Sequence, residues 1–375
     1  MRFVISFRRL LSRRHPYGGR WGVAQLSPVI LTILITALAW PTPREIAFSR
    51  LLPAAPALAA AMWTVLPTIL LGAVCLLIMI SLGLVYTDLG TPYTAAAIVA
   101  VTLAAAYASH VRLQREDTLI RVRLVADAAQ TVLLRPLPRR IQNIEIESLY
   151  LAAQEQARIG GDFYEAADTP HGVRLLIGDV RGKGLPAVGA AAAVISCFRE
   201  AAFDEPDLTG VIRRLEASIT RYSAAVPAQD LLERFATTVL AEIQPGSGHV
   251  RLLNCGHPPP LLAHRAEIRV LEPTAPSPPL NLASLIGDRY CVDTFAFVPG
   301  DQLLLYTDGV TETRDRAGEF FPLPEWMRRQ GPAPPRELLD RLHRDLFDYS
   351  GGKLDDDIAA LTVRCPGDLA QTPGT

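Results

Sequence analysis

Gly172-Val173-Arg174-Leu175-Leu176-Ile177-Gly178-Asp179-Val180-Arg181-Gly182-Lys183-Gly184 is an apolar run that ends in a glycine-flanked turn. Residues 172–180 have the length and composition of a strand. An Asp that follows such a strand and precedes glycine carries its carboxylate at a sheet edge. The glycines let the chain turn sharply and leave room for an ion or a substrate. Similar strand patterns recur on both sides. Glu145 to Ala153 alternates toward a strand, and Phe235 to Ile243, Val250 to Asn254, Leu261 to His264, Ile268 to Leu271, Leu303 to Tyr306 and Ile358 to Val363 are strand-like. Helical spacing marks Ala187 to Ala202, Leu208 to Tyr222 and Arg336 to Phe347. Mostly sequential strands with helices grouped between them predict an α+β layered fold with antiparallel sheets. This domain covers residues 141–365, with a tail at 366–375.

The first 110 residues differ in kind. The chain has 375 residues, 49% of them hydrophobic, and a mean hydropathy of +0.20. The excess is concentrated in three strongly apolar stretches before His110. A spanning helix needs about 20 apolar residues. Val23 to Trp40 and Tyr93 to Ala108 suit one crossing each. The long middle stretch divides into Ile46 to Met62 and Thr64 to Val85, with Pro53, Pro56 and Pro67 breaking the chain. Arg2, Arg8, Arg9, Arg13, Arg14 and Arg20 precede the first crossing, and Arg112, Arg115, Arg121 and Arg123 follow the last. Both flanks then face the cytosol by the positive-inside rule, which requires an even number of crossings. Four use all the apolar sequence. The expected location is the inner cell membrane, multi-pass, in contact with the lipid bilayer. Ala37-Leu38-Ala39 resembles a signal-peptidase site, but its apolar segment is long for a signal and more spans follow. No ionisable residue sits mid-span in the last two crossings, which argues against a transporter.

Residues 111–140 form a linker. Leu113, Ile120, Leu124, Ala128 and Val132 recur at helical spacing among charged residues. Such a helix suits pairing with a second copy of the chain, as a homodimer, or lying on the following domain. The formal net charge of -1 gives no basic surface for nucleic acid. The 5 Cys are scattered, without zinc-ligand spacing or a disulfide framework.

Four acidic sites lie at strand ends or in glycine-flanked turns. They are Asp162 in Gly160-Gly161-Asp162-Phe163-Tyr164, Asp179 in the stretch quoted first, Asp308 in Tyr306-Thr307-Asp308-Gly309-Val310-Thr311-Glu312, and Asp356 in Asp355-Asp356-Asp357-Ile358. Converging carboxylates repel one another unless a cation lies between them. Oxygen ligands without His or Cys select hard dications, Mn²⁺ or Mg²⁺. Spacing alone does not bring the four together, and an isolated Asp-Gly is equally a turn.

These motifs, with Asn254-Cys255-Gly256-His257-Pro258-Pro259-Pro260 between them, occur in an order that resembles the SpoIIE-like branch of the metal-dependent (PPM, phosphatase 2C-related) protein serine/threonine phosphatases. The resemblance covers residues 145 to 364. It implies a sandwich of two antiparallel β-sheets flanked by helices, two divalent cations and no covalent phosphoenzyme. Asp179 corresponds to a carboxylate bridging both cations, the Val180 carbonyl to a ligand of one, and Asp308 and Asp356 to ligands of the other. Asp162 corresponds to an acidic residue beside the site, acting through water. Arg181 and Lys183 lie beside the bridging Asp and suit phosphate contact or a solvated loop. His257 suits a general acid or a turn residue. The implied substrate is phosphoserine or phosphothreonine on a regulatory protein, of which anti-sigma-factor antagonists are the best-known type. Many relatives have Asp in place of Glu165 and Thr in place of Ala359; neither position is a ligand. The alternative is a non-catalytic signalling module that uses the same fold to bind a partner.

Overall fold

The computed structural model describes residues 23–40, 48–86, 91–152, 160–225, 235–265, 267–331 and 333–366. The N-terminal arginines and all but the first residue of the predicted tail lie outside them. Two compact units divide between Ile120 and Arg121.

In the first unit, α1 (Val23–Ala39), a 3-10 turn (Phe48–Leu51), α2 (Ala54–Met62), α3 (Val65–Tyr86) and the start of α4 (Thr91–Leu133) follow one another. Pro53 immediately precedes α2, whereas Pro56 and Pro67, expected to bend or break the chain, lie within the first turns of α2 and α3. At 1.5 Å per residue the 22 residues of α3 extend about 33 Å, enough for a bilayer core. Three helices of the described residues are long and apolar enough to cross a membrane: Val65–Leu84, Thr91–Val122 and Leu185–Asp204. Only the first two belong to this unit. Gln25–Ala39 and Phe48–Met62 are apolar but shorter. Trp63 Nε1 donates to the Gln25 carbonyl at 2.8 Å, and Arg112 donates to the Trp63 carbonyl at 2.8 Å. The start of α1, the end of α2 and the end of the apolar part of α4 therefore share one end of the bundle. The linker helix is no separate element, because α4 runs unbroken for 43 residues.

The second unit is a sandwich. One sheet has the order β1-β2-β11-β10-β7-β8 and the other β3-β4-β5-β6-β9, with every pairing antiparallel. Its strands are β1 (Arg140–Ile141), β2 (Ile144–Leu151), β3 (Phe163–Thr169), β4 (Gly172–Val180), β5 (Ala236–Ile243), β6 (His249–Cys255), β7 (Leu261–His264), β8 (Glu267–Val270), β9 (Asp293–Ala296), β10 (Gln302–Tyr306) and β11 (Ile358–Arg364). β4 is apolar at nearly every position because both its faces are covered. One face meets β10 and β11 across the sandwich, and the other meets α5 (Leu185–Asp204). The Ala-rich face of α5 lets it lie close to β3 and β4, and Asp207 caps α6 (Leu208–Ala224) by accepting from the Gly210 amide at 2.8 Å. After two short helices, α7 (Ala283–Ile286) and α8 (Asp308–Glu312), α9 (Leu323–Gln330) and α10 (Pro335–Tyr349) cover the other sheet. The end of α4 belongs to this unit: Leu134, just beyond it, is buried in the core, and Gln130 is also buried.

Candidate active site

Sheet register brings the acidic motifs to one end of the sandwich. β4 leaves the sheet at Val180, and Gly178 faces Phe163, the first residue of β3, so Asp179 and Asp162 emerge together. In the opposite sheet Tyr306, the last residue of β10, faces Ala360 of β11. Asp308 follows the one strand and Asp356 precedes the other, at the same end. Beyond Val180 the chain turns through Gly182 at φ 113°, a left-handed conformation that side chains disfavour.

The carboxylates feel one another. Asp162 is 4% exposed. Burial holds it well above the usual carboxylate range, and Asp179, Asp357 and Asp308 push it further. Asp179 is pushed up to about 7, first by burial and then by Asp308, Asp356 and Asp357. Asp308 is raised by burial, then by Glu312 and Asp356. Carboxylates raised by burial and by one another lack a counter-charge, and a dication supplies one.

Geometry adds a second sign of a cation site. A Cβ on Gly161 would stand 2.3 Å from the Val180 carbonyl oxygen. Only glycine lets the turn pass this close to that oxygen, which lies beside the carboxylates. Among the described residues, no three acidic, His or Cys side chains enclose an ion by themselves. Hard dications accept carboxylate oxygen together with main-chain oxygen and water.

The cationic candidates differ in their surroundings. Lys183 Nζ lies 3.2 Å from Asp356 Oδ1, both partly exposed. Arg181 is exposed and lies over the Phe235 ring at 5.3 Å. His257 is not at the acidic end's surface. It is 6% exposed, and its Nδ1 shares a hydrogen with the Thr237 hydroxyl at 2.9 Å. Asn254 grips its backbone through both side-chain atoms, and burial pushes its pKa down to about 3. That is the geometry of a turn residue supporting β5, where Thr237 faces Asp179. The departure at Glu165 also has a partner, since its carboxylate takes Arg199 of α5 at 2.6 Å.

Sequence reasoning missed three polar residues of this end. Thr307 donates to Asp162 Oδ2 at 2.7 Å and accepts from the Ala359 amide at 2.9 Å, tying β10 to β11. Asp357 is buried and accepts from Tyr150. Thr307 and Asp357 adjoin predicted ligands. Nothing in the run Asp355-Asp356-Asp357 showed which carboxylate turns inward, and Tyr150 carries no local motif at all.

The sequence profile of the family described as Stage II sporulation protein E (SpoIIE) matches residues 169–366, more than half of the chain. The chain belongs to the SpoIIE family. Its fold agrees: the SiaA-PP2C domain of Pseudomonas aeruginosa superimposes with a TM-score of 0.54 at 18% identity, covering 68% of this chain and 98% of that one. The RsbU and RsbW domains of Rv1364c from Mycobacterium tuberculosis are 26% identical with a TM-score of 0.47, covering 60% of this chain and 64% of that one. Protein IcfG of Synechocystis sp. is 25% identical over 249 residues, 60% of this chain. The chain spans 38% of the length of that relative. The SpoIIE-type region is thus a PPM phosphatase domain with the antiparallel sandwich anticipated from the sequence.

Proposed function

We propose that this chain is a membrane-anchored, metal-dependent protein serine/threonine phosphatase. The observation that carries the reading is the convergence of Asp162, Asp179, Asp308 and Asp356, with Gly161 drawn close to the Val180 carbonyl. Asp179 and the Val180 carbonyl would hold one cation, with Asp179 shared, and Asp308 and Asp356 the other; Asp162 acts through water. Two dications, Mn²⁺ or Mg²⁺, supply activation of the attacking water and neutralisation of the phosphoryl oxygens. The chain's own residues place these groups: Thr307 fixes the Asp162 carboxylate, and the positive φ of Gly182 turns the loop so that Arg181 and Lys183 stand exposed at the rim. Both are suited to the substrate phosphate, Lys183 by leaving Asp356 once a cation competes for that carboxylate. The core position of His257 leaves it outside this proposal.

The substrate class is phosphoserine or phosphothreonine on a regulatory protein, with an anti-sigma-factor antagonist as the family's typical case. The full-length chain should hydrolyse a phosphoserine peptide only with Mn²⁺ or Mg²⁺ present. Full activity in excess chelator would remove the metal from the mechanism. Absence of hydrolysis at saturating metal would favour the non-catalytic, partner-binding alternative.

The proposed organisation is a membrane region at 1–110, a linker at 111–140 and the phosphatase domain at 141–365, with a homodimer formed through the linker helix. Four crossings, two of them short, would leave both ends in the cytosol; the positive-inside rule supports the side, and the nearness of Gln25, Trp63 and Arg112 supports the even count. A Cys introduced at exposed Arg121 should resist a membrane-impermeant maleimide in intact cells and react after lysis, with the parent chain as background. Labelling of intact cells would put the phosphatase domain outside.

A further inference from the structure

Asp357 lies among the metal motifs, and its side chain is bonded to the backbone of one of them. It is 4% exposed. One oxygen, Oδ2, accepts both the Gly160 amide at 2.7 Å and the Tyr150 hydroxyl at 2.8 Å. Bonds to a charged acceptor are the strong kind. The fit is close: a Cβ on Gly160 would stand 2.1 Å from the same oxygen. The backbone of Asp357 is equally engaged. Its amide donates to Asp356 Oδ1 at 3.0 Å, and a Cβ on Gly309, beside Asp308, would stand 2.0 Å from its carbonyl oxygen. One residue thus touches the segments that carry Asp162, Asp308 and Asp356.

The Gly160-Gly161-Asp162 turn is held from two sides. Asp357 grips Gly160, while the Val180 amide donates to the Gly161 carbonyl at 3.2 Å. Asp162 comes next and has no freedom left, because Thr307 holds its carboxylate. A buried carboxylate costs free energy unless bonded, so a position needed only for packing would favour an apolar side chain. The two donors here come from β2 and from the motif turn itself, which is where a positioning role would put them.

We propose that Asp357, assisted by Tyr150, is a positioning residue that fixes the Gly160-Gly161-Asp162 turn against the Val180 carbonyl and so sets the affinity of the metal centre. This rests on the metal reading given above. Outer partners of ligands usually contribute about ten- to a hundredfold in metal affinity.

The test is calorimetric titration of Mn²⁺ into the full-length chain in detergent, beside a thermal melt without metal. Asp357→Ala should weaken Mn²⁺ binding by about ten- to a hundredfold. Asp357→Asn should stay close to the parent, because an amide oxygen can accept both hydrogen bonds. Tyr150→Phe should lose a smaller part of the affinity without leaving a cavity, and it carries the test if Asp357→Ala fails to fold. Unchanged Mn²⁺ affinity in Asp357→Ala, or in Tyr150→Phe as its substitute, overturns the proposal, as does an Asn variant as impaired as the Ala variant. In both cases the parent chain still binds Mn²⁺, so the metal reading survives. A parent chain that binds no Mn²⁺ overturns both.

Discussion

Asp179→Asn is expected to lower single-turnover dephosphorylation at saturating Mn²⁺ by at least about a hundredfold, the scale of losing one major electrostatic stabiliser. Asp179 is the penultimate residue of β4 and stands within hydrogen-bond reach of Asp162, with Asp308 and Asp356 close by. The neutral amide removes a negative charge from both proposed cations and bridges them poorly. If Asp179 were only a turn residue the change would be nearly silent, since Asn also suits turns. Stability should move the other way. In metal-free protein the folded Asp179 pKa, about 7, lies above its unfolded value of 3.8. The folded state then holds more protons, so this group's contribution is full below the unfolded value and is lost as pH rises through about 7. The slope for one proton is about 1.4 kcal/mol per pH unit. Metal-free parent protein should therefore melt higher at pH 5 than at pH 8, and Asp179→Asn should flatten that difference. Turnover near that of the parent, or an unchanged pH dependence of melting, would count against the placement of Asp179.

Arg174→Ala should destabilise the phosphatase domain by about 3–5 kcal/mol, the cost of breaking a buried ion pair from one side. Arg174 is 0% exposed on β4. Its Nε donates to Glu242 Oε2 of β5 at 2.8 Å, and one guanidinium nitrogen donates to the carbonyls of Ala202 and Glu205 at 2.9 and 2.6 Å. These carbonyls end α5, so a single side chain joins the sheet to the helix that covers it. Truncation strands the Glu242 carboxylate, which keeps only Arg251, and leaves two helix-end carbonyls without their donor. Replacing Arg174 by Met and Glu242 by Leu together should recover much of the loss, because the apolar pair leaves no buried charge. Chemical denaturation measures both. A loss under about 1 kcal/mol for the Ala variant would mean that water reaches the pocket.

The strands that sequence pattern located best are those with one simple environment. β4 and β7 fall on the predicted residues, because a mostly apolar run between glycine or proline signals has few other readings. β3 went unread as a strand. Its Glu165 is buried through an ion pair with Arg199, a partner 34 residues away, so a polar letter occupied a core position. β9 is four residues at a sheet edge, too short for a period. In α9, Leu323, Trp326 and Met327 do carry helical spacing, but flanking prolines and arginines mask it. Asp162, Asp179, Asp308 and Asp356 stood out by their place at strand ends and glycine turns, and motif order supplied the roles expected of them. Only the antiparallel register showed that they share one end. The inward turn of Asp357 depends on Gly160, 197 residues earlier, and no local signal could carry it.

The Ala-rich helix over β3 and β4 has a consequence for biosynthesis. With a mean hydropathy of 1.3, Leu185–Asp204 is long and apolar enough to cross a membrane, as are two helices of the N-terminal unit. It leaves the ribosome after they do, so in the proposed membrane-anchored chain it would follow two inserted helices. β3 and β4 are synthesised just before it, so the surface that buries Val194, Ile195 and Phe198 already exists as the helix emerges. Capture by that hairpin competes directly with entry into lipid. Lengthening the segment between residues 180 and 185 would delay the capture and send part of the newly made chains across the bilayer, carrying Asp308 and Asp356 to the wrong side.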